Sequence, residues 1–190
     1  MAKSYSGAMP YSRVFHGIEV TNERNPAAAL VNAMDEVRER VLMDFPELTG
    51  HDALYCSLTQ ADFSDDEVLG MYDDSKGRIT IRNDVAAKRD ERKGWAGGNS
   101  LQHAVAHELA HALTGSTPKG FVDTDTAFNR AFKQYRRTNP TATQEQFSIG
   151  ISRYALEAKS EAFAEAFADY NRNGRNAALA SRLVMEKWRN

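Results

Sequence analysis

Apolar positions in this chain form five helical stretches, interrupted between residues 53 and 83 by short runs of strand character. Leu30, Met34, Val37, Val41 and Leu42 recur at helical spacing and predict a helix that opens at Asn25-Pro26 and stops at Phe45-Pro46. Its other face, with Asp35, Glu36, Arg38, Glu39 and Arg40, reads as solvated. Ala53–Thr59, Val68–Tyr72 and Arg78–Arg82 read as strands, the last two joined by a hairpin turn at Asp73–Gly77. Ile79 and Ile81 alternate with Arg78, Thr80 and Arg82, the pattern of a half-buried strand. Leu101, Val105, Leu109 and Ala112 predict a helix capped by Asn99 or Ser100 and closed at Gly115. A further helix is expected from Asp123 or Asp125 to Arg137, on Phe128, Ala131, Phe132 and Tyr135. The longest helix is expected from about Thr143 to Asn171, stopped by Gly174, and a last one from Asn176 to Trp188. Residues 1–25 show no sustained period beyond a short strand at Arg13-Val14-Phe15. They predict an arm ahead of a single domain of residues 26–190.

Composition narrows the class. At 190 residues, with 42% hydrophobic and 26% charged, the chain suits one soluble domain with a real core. The net charge of −2 gives no support to a nucleic-acid surface. A lone cysteine, Cys56, forms no intrachain disulfide and reads as a buried small residue. The first residues lack the apolar core of a signal peptide and no run has the length of a membrane span, so the expectation is a cytoplasmic protein. Export without a cleaved signal stays open. Asp65-Asp66-Glu67 and Asp73-Asp74 do not match the spacing of a calcium loop and read as acidic surface loops. His16 has no partner at metal spacing and reads as a surface residue.

Candidate chemistry sits on the helix that starts near residue 100. His103, His107 and His111 are each four residues apart and share one face, nearly opposite the apolar one. Within them lies His-Glu-x-x-His, made of His107, Glu108 and His111. Two imidazoles one turn apart aim at one point, as a tetrahedral zinc ion requires. Glu108, one step round the helix, would take a proton from a water at that metal. Only the His107/His111 pair has a Glu directly after its first His, so His103 is left on the helix surface or beside a ligand.

A catalytic zinc needs a third protein ligand. Glu161, Glu165 and Asp169 are four apart and share one side of the long helix, among alanines that let a neighbouring helix come close. Glu161 is the favoured ligand, with Glu165 orienting a ligand histidine. Leu156, Phe163, Phe167 and Tyr170 take the other side. Tyr154, seven residues before Glu161, would lie two turns away on its face and is a candidate to stabilise an oxyanion, or a packing residue. Asp123, in Gly120-Phe121-Val122-Asp123, is a rival third ligand that also looks like a helix cap. No histidine follows His111, which excludes a downstream histidine as third ligand and pushes the choice to a carboxylate.

His107-Glu108-x-x-His111 with Glu161 about fifty residues later resembles the gluzincins, zinc peptidases whose third ligand is a Glu on a later helix. Glu161-Ala-Phe-Ala-Glu165-Ala-Phe167, with Tyr154 upstream, is similar to the catalytic domain of the anthrax lethal factor type. Glu161-x-x-Ala164-Glu165-x-Phe167-Ala168 is equally similar to ImmA/IrrE-type and phage-associated metallopeptidases, though the ImmA/IrrE type usually has Asn where Glu165 stands. The resemblance spans roughly residues 65–172. It implies an α+β, zincin-like fold, in which a small twisted sheet packs on the His-Glu-x-x-His helix and a helical C-terminal half delivers Glu161. It implies a Zn2+ cofactor and hydrolysis of peptide bonds in a protein or peptide substrate. An edge strand, Val68–Tyr72 or Arg78–Arg82, would pair with that substrate, and residues 84–98 are a candidate lid. The alternative is a catalytically silent, metal-stabilised interaction module of phage or toxin type, against which Glu108 argues.

Overall fold

A computed structural model describes residues 28–65, 68–84, 100–115 and 117–189, with two short backbone stretches at 14–15 and 18–19. The architecture is α+β. Strands β1 (Val14–Phe15) and β2 (Ile18–Glu19) form a small antiparallel pair. The expected start of the first helix, His16 and nearly all of the 84–98 loop lie outside the described residues.

Helix α1 (Ala28–Asp44) buries Leu30, Met34, Val37 and Val41, as its spacing predicts. Beyond it the chain departs from the sequence reading. His51 Nδ1 accepts from the Ala53 N–H at 3.3 Å and opens a tight turn of 3-10 helix over Asp52–Tyr55. The first strand is therefore displaced to β3, Ser57–Ala61. Arg38 of α1 donates its Nε–H to the Leu54 carbonyl at 2.6 Å and fastens that turn. Strands β4 (Gly70–Asp73) and β5 (Arg78–Arg82) form the expected antiparallel hairpin, with Gly77 at φ +54° in its turn. This backbone conformation favours glycine.

The sheet has the order β3-β5-β4, with β3 parallel to β5. Two expectations for Arg78–Arg82 fail here. As the central strand it has no free edge to offer a substrate, and all five of its residues are buried rather than alternating. Arg82 survives burial by donating to the Asp65 carbonyl at 2.9 Å and pairing with Asp84 at 2.5 Å.

Helix α2 (Leu101–Gly115) is the hub. It packs on α1, on β4 and β5, and on α5 (Lys159–Asn173). Every residue from His103 to Ala110 is buried. The expectation of one core face and one open chemical face was too simple, because α5 covers the histidine side. Helix α3 (Thr124–Thr138) and α6 (Leu179–Trp188) pack together beyond α5. Trp188, fully buried, stands among Phe45, Phe121, Phe163 and Phe167 and pins the C-terminus to the core.

The single long helix expected from Thr143 to Asn171 is three pieces. Helix α4 (Gln144–Ile149) opens on a Thr143/Gln146 capping box. A 3-10 turn follows at Tyr154–Leu156, entered where Ser152 Oγ accepts the Ala155 N–H at 3.1 Å, and α5 then restarts. Leu156 is accordingly exposed rather than packed beside Phe163. No helix among the described residues is long and apolar enough to cross a membrane.

Candidate metal centre

The site lies between α2 and α5. Ser100 Oγ accepts the His103 N–H at 3.1 Å and caps α2, as expected. Along α2 the histidines advance from 103 to 111 while their partners on α5 retreat from Glu165 to Glu161, so the two helices run antiparallel. Alanines on both sides, Ala104 and Ala110 on α2 and Ala162 and Ala168 on α5, are buried and keep the helices close.

Three donor atoms converge. His107 Nε2 lies 3.0 Å from Glu161 Oε2 and 3.2 Å from His111 Nε2, and His111 Nε2 lies 3.4 Å from Glu161 Oε2. Ligand atoms around a tetrahedral zinc at ordinary bond lengths stand about 3.3 Å apart. The triangle thus fits a zinc ion in edge length and in its two-nitrogen, one-oxygen donor set. It is also partly open: the side chains of His111 and Glu161 are 24% and 21% exposed, which leaves room for a further ligand. His107, His111 and Glu161, chosen from sequence as metal ligands, are thus brought together.

Behind the triangle, Glu165 Oε1 accepts from His107 Nδ1 at 2.9 Å and from His103 Nε2 at 3.1 Å. Burial alone would push the His107 imidazole down. The carboxylates of Glu161 and Glu165, and then Glu108, outweigh it and hold it up at about 10. Burial likewise opposes ionisation of Glu161, but hydrogen bonds from His107 and His111 hold its carboxyl down at about 2. Glu165 is lowered in the same way, by His103 and His107 against the cost of burial. The carboxylates around His107 thus make this spot favourable to positive charge.

No family model, curated protein or solved structure matches this chain. The likeness to gluzincins therefore rests on the motif residues themselves.

Glu108 is buried beside the triangle, on the sheet side of α2. Burial raises its carboxyl; the nearby His107 and His111 lower it, Glu161 raises it, and a hydrogen bond from the Tyr72 backbone N–H lowers it. Room for it comes from Gly70 of β4. A Cβ there would lie 2.9 Å from Glu108 Cγ, Glu108 Oε1 and Ile81 Cδ1. Neither Gly70 nor Tyr72 was singled out in the sequence, although a glycine inside a strand pattern marks a close approach.

The remaining candidates sort cleanly. Tyr154 does reach the site, its ring 5.8 Å from that of His107, but from the 3-10 turn and not from two turns up the helix of Glu161. Asp123 is a helix cap: its carboxylate accepts from the Thr126 N–H at 2.8 Å and the Thr126 hydroxyl at 2.7 Å, at the start of α3. It belongs to neither His/Glu cluster. Asp169 continues the acidic stripe but works elsewhere, accepting from the Ala178 N–H at 2.9 Å and from Asn173 at 2.7 Å. Cys56 is only half-buried, though burial still pushes its thiol up to about 11.

Proposed function

We propose that this chain is a zinc-dependent, zincin-like endopeptidase of gluzincin type. His107, His111 and Glu161 would hold the ion. The observation that carries the reading is the partly open triangle of His107 Nε2, His111 Nε2 and Glu161 Oε2, with the buried Glu108 carboxylate beside it. Zinc bound there would supply a Lewis acid, able to polarise a carbonyl and to make a water acidic near neutral pH.

The chain's own groups do the rest. Glu108 accepts a proton from the attacking water and returns it to the leaving amine. The Tyr72 N–H and the space at Gly70 keep it in place for both halves of that transfer. Glu165 holds the ring of His107 through Nδ1. Tyr154, near the His107 ring, would donate to the oxyanion formed as the carbonyl is attacked. Strand β4, an edge of the sheet, is the place for an extended protein substrate to pair. A silent metal-stabilised module would need the same ligands but no carboxylate shaped into Glu108's position, which favours hydrolysis.

The test combines zinc analysis with proteome-wide cleavage profiling of wild type and Glu108→Gln. The expected result is about one zinc per chain in both and cleavage by the wild type alone. Zinc in both with indistinguishable profiles would leave the silent module standing; no zinc in either would end the metal reading.

A further inference from the structure

His103 makes no side of the donor triangle, yet its side chain is 5% exposed and that of its partner Glu165 is 2% exposed. Together with His107 these groups form a second closed cluster of metal-ligating type, sharing His107 with the first. The chemistry of one ring decides between a second ion and another role. A neutral imidazole has one lone pair on its ring nitrogens and one ring proton. When His107 Nε2, which faces His111 and Glu161, spends its lone pair on the metal, Nδ1 carries the proton. That proton lies on the 2.9 Å path to Glu165 Oε1. The same oxygen, 3.1 Å from His103 Nε2, then takes a second N–H from one turn up the helix. Two ions through His107 would require stripping the ring of both protons, so the inner cluster is a hydrogen-bond relay.

We propose that His103 is a positioning residue for the metal centre. Its Nε2–H fixes the Glu165 carboxylate, which locks His107 in the tautomer and orientation that present Nε2 to the metal. The proposal rests on the metal-centre reading above. Partners of metal-ligating histidines typically change metal affinity by about 10–100-fold when removed. His103 stands one hydrogen bond further out, so its loss is expected at the low end.

The experiment uses the full chain with zinc. Affinity is read by competition with a chromophoric chelator, and ring 15N–1H correlation spectra of the zinc-loaded protein read the proton on His107 Nδ1. His103→Phe is expected to bind zinc about tenfold more weakly and to show faster solvent exchange of the Nδ1 proton. His103→Gln, which keeps an N–H donor, should recover most of both. Combined with Glu165→Gln, His103→Phe should add no further loss, because the two act in series. If His103→Phe does not fold, His103→Asn, too short to reach Glu165, replaces it against the rescuing Gln. Unchanged affinity and exchange in the Phe or Asn variant, or fully additive losses in the double variant, would overturn the proposal. So would a second zinc equivalent that vanishes with His103. Absence of zinc from the wild type would instead sink the metal-centre reading, and this proposal with it.

Discussion

At Gly70 the edge strand passes so close to α2 that a single methyl group meets Glu108 and Ile81 at 2.9 Å. Neither neighbour is a free surface side chain: Glu108 is buried and Ile81 is wholly enclosed. Gly70→Ala is therefore expected to cost about 1–3 kcal/mol as an overpacking change, and to push Glu108 off its Tyr72 N–H. Denaturant unfolding checks the first part. For the second, zinc content should stay at the wild-type level while any cleavage falls as it does in Glu108→Gln; full cleavage with normal stability would show that the crowding is relieved cheaply. Cys56 gives a second residue-scale expectation. With its thiol pushed up to about 11 by burial, only about one molecule in a thousand is thiolate at pH 8. Alkylation of the native chain should be slow there and rise about tenfold per pH unit towards that value. The same reagent should act at least about a hundredfold faster in denaturant at pH 8, where the thiol returns to its ordinary range near 8.5. Equal native and denatured rates would contradict the burial.

At the level of elements, what could be read in the sequence was what local periodicity controls. Helices α1, α2, α3 and α6 and the β4–β5 hairpin all lie close to where apolar spacing and turn residues put them. The meeting of His107, His111 and Glu161 was legible for the same reason: histidines four apart on α2 face glutamates four apart on α5. What was missed depends on contacts between elements. The long helix breaks at Gly150–Ser152, where the Ser152 hydroxyl takes the Ala155 N–H; that stretch carried a breaker and a capping residue inside an otherwise helical pattern. Strand β5 looked half-exposed because its arginines are polar, while the burial of Arg82 is arranged by the Asp65 carbonyl from the preceding loop and by Asp84 just beyond the strand. Asp169 shows how a residue of one motif serves another element. Its carboxylate holds the entry to α6, taking the Ala178 N–H where an N-terminal helix end favours negative charge. Asp169→Ala should cost about 1–2 kcal/mol in denaturant unfolding, with Asp169→Asn losing less and zinc content unchanged in both. A loss of zinc in Asp169→Asn would mean that the acidic stripe acts as one unit with the metal centre.

For the whole molecule, the consequence of the centre's place is mechanical as well as chemical. The proposed ligands come from α2 and α5, helices about fifty residues apart in sequence, and α2 also carries the Glu108 contact to the sheet. An ion there would tie the sheet-side half of the core to the helical C-terminal half. Without it, a buried patch of carboxylates and imidazoles is balanced only by protons. Binding that favours the folded state adds RT ln(1 + [L]/Kd), about 2.7 kcal/mol at a hundredfold excess of free metal over Kd. For a chain of this length that corresponds to a rise in melting temperature of about 5–10 °C. Thermal unfolding with excess zinc and with a chelator should differ by that amount in the wild type and in Glu108→Gln, which keeps all three ligands. In His111→Ala the two curves should coincide, because the ion loses one of its two nitrogens. A chelator effect that persists undiminished in His111→Ala would place the stabilising ion elsewhere in the molecule and separate it from the triangle of His107, His111 and Glu161.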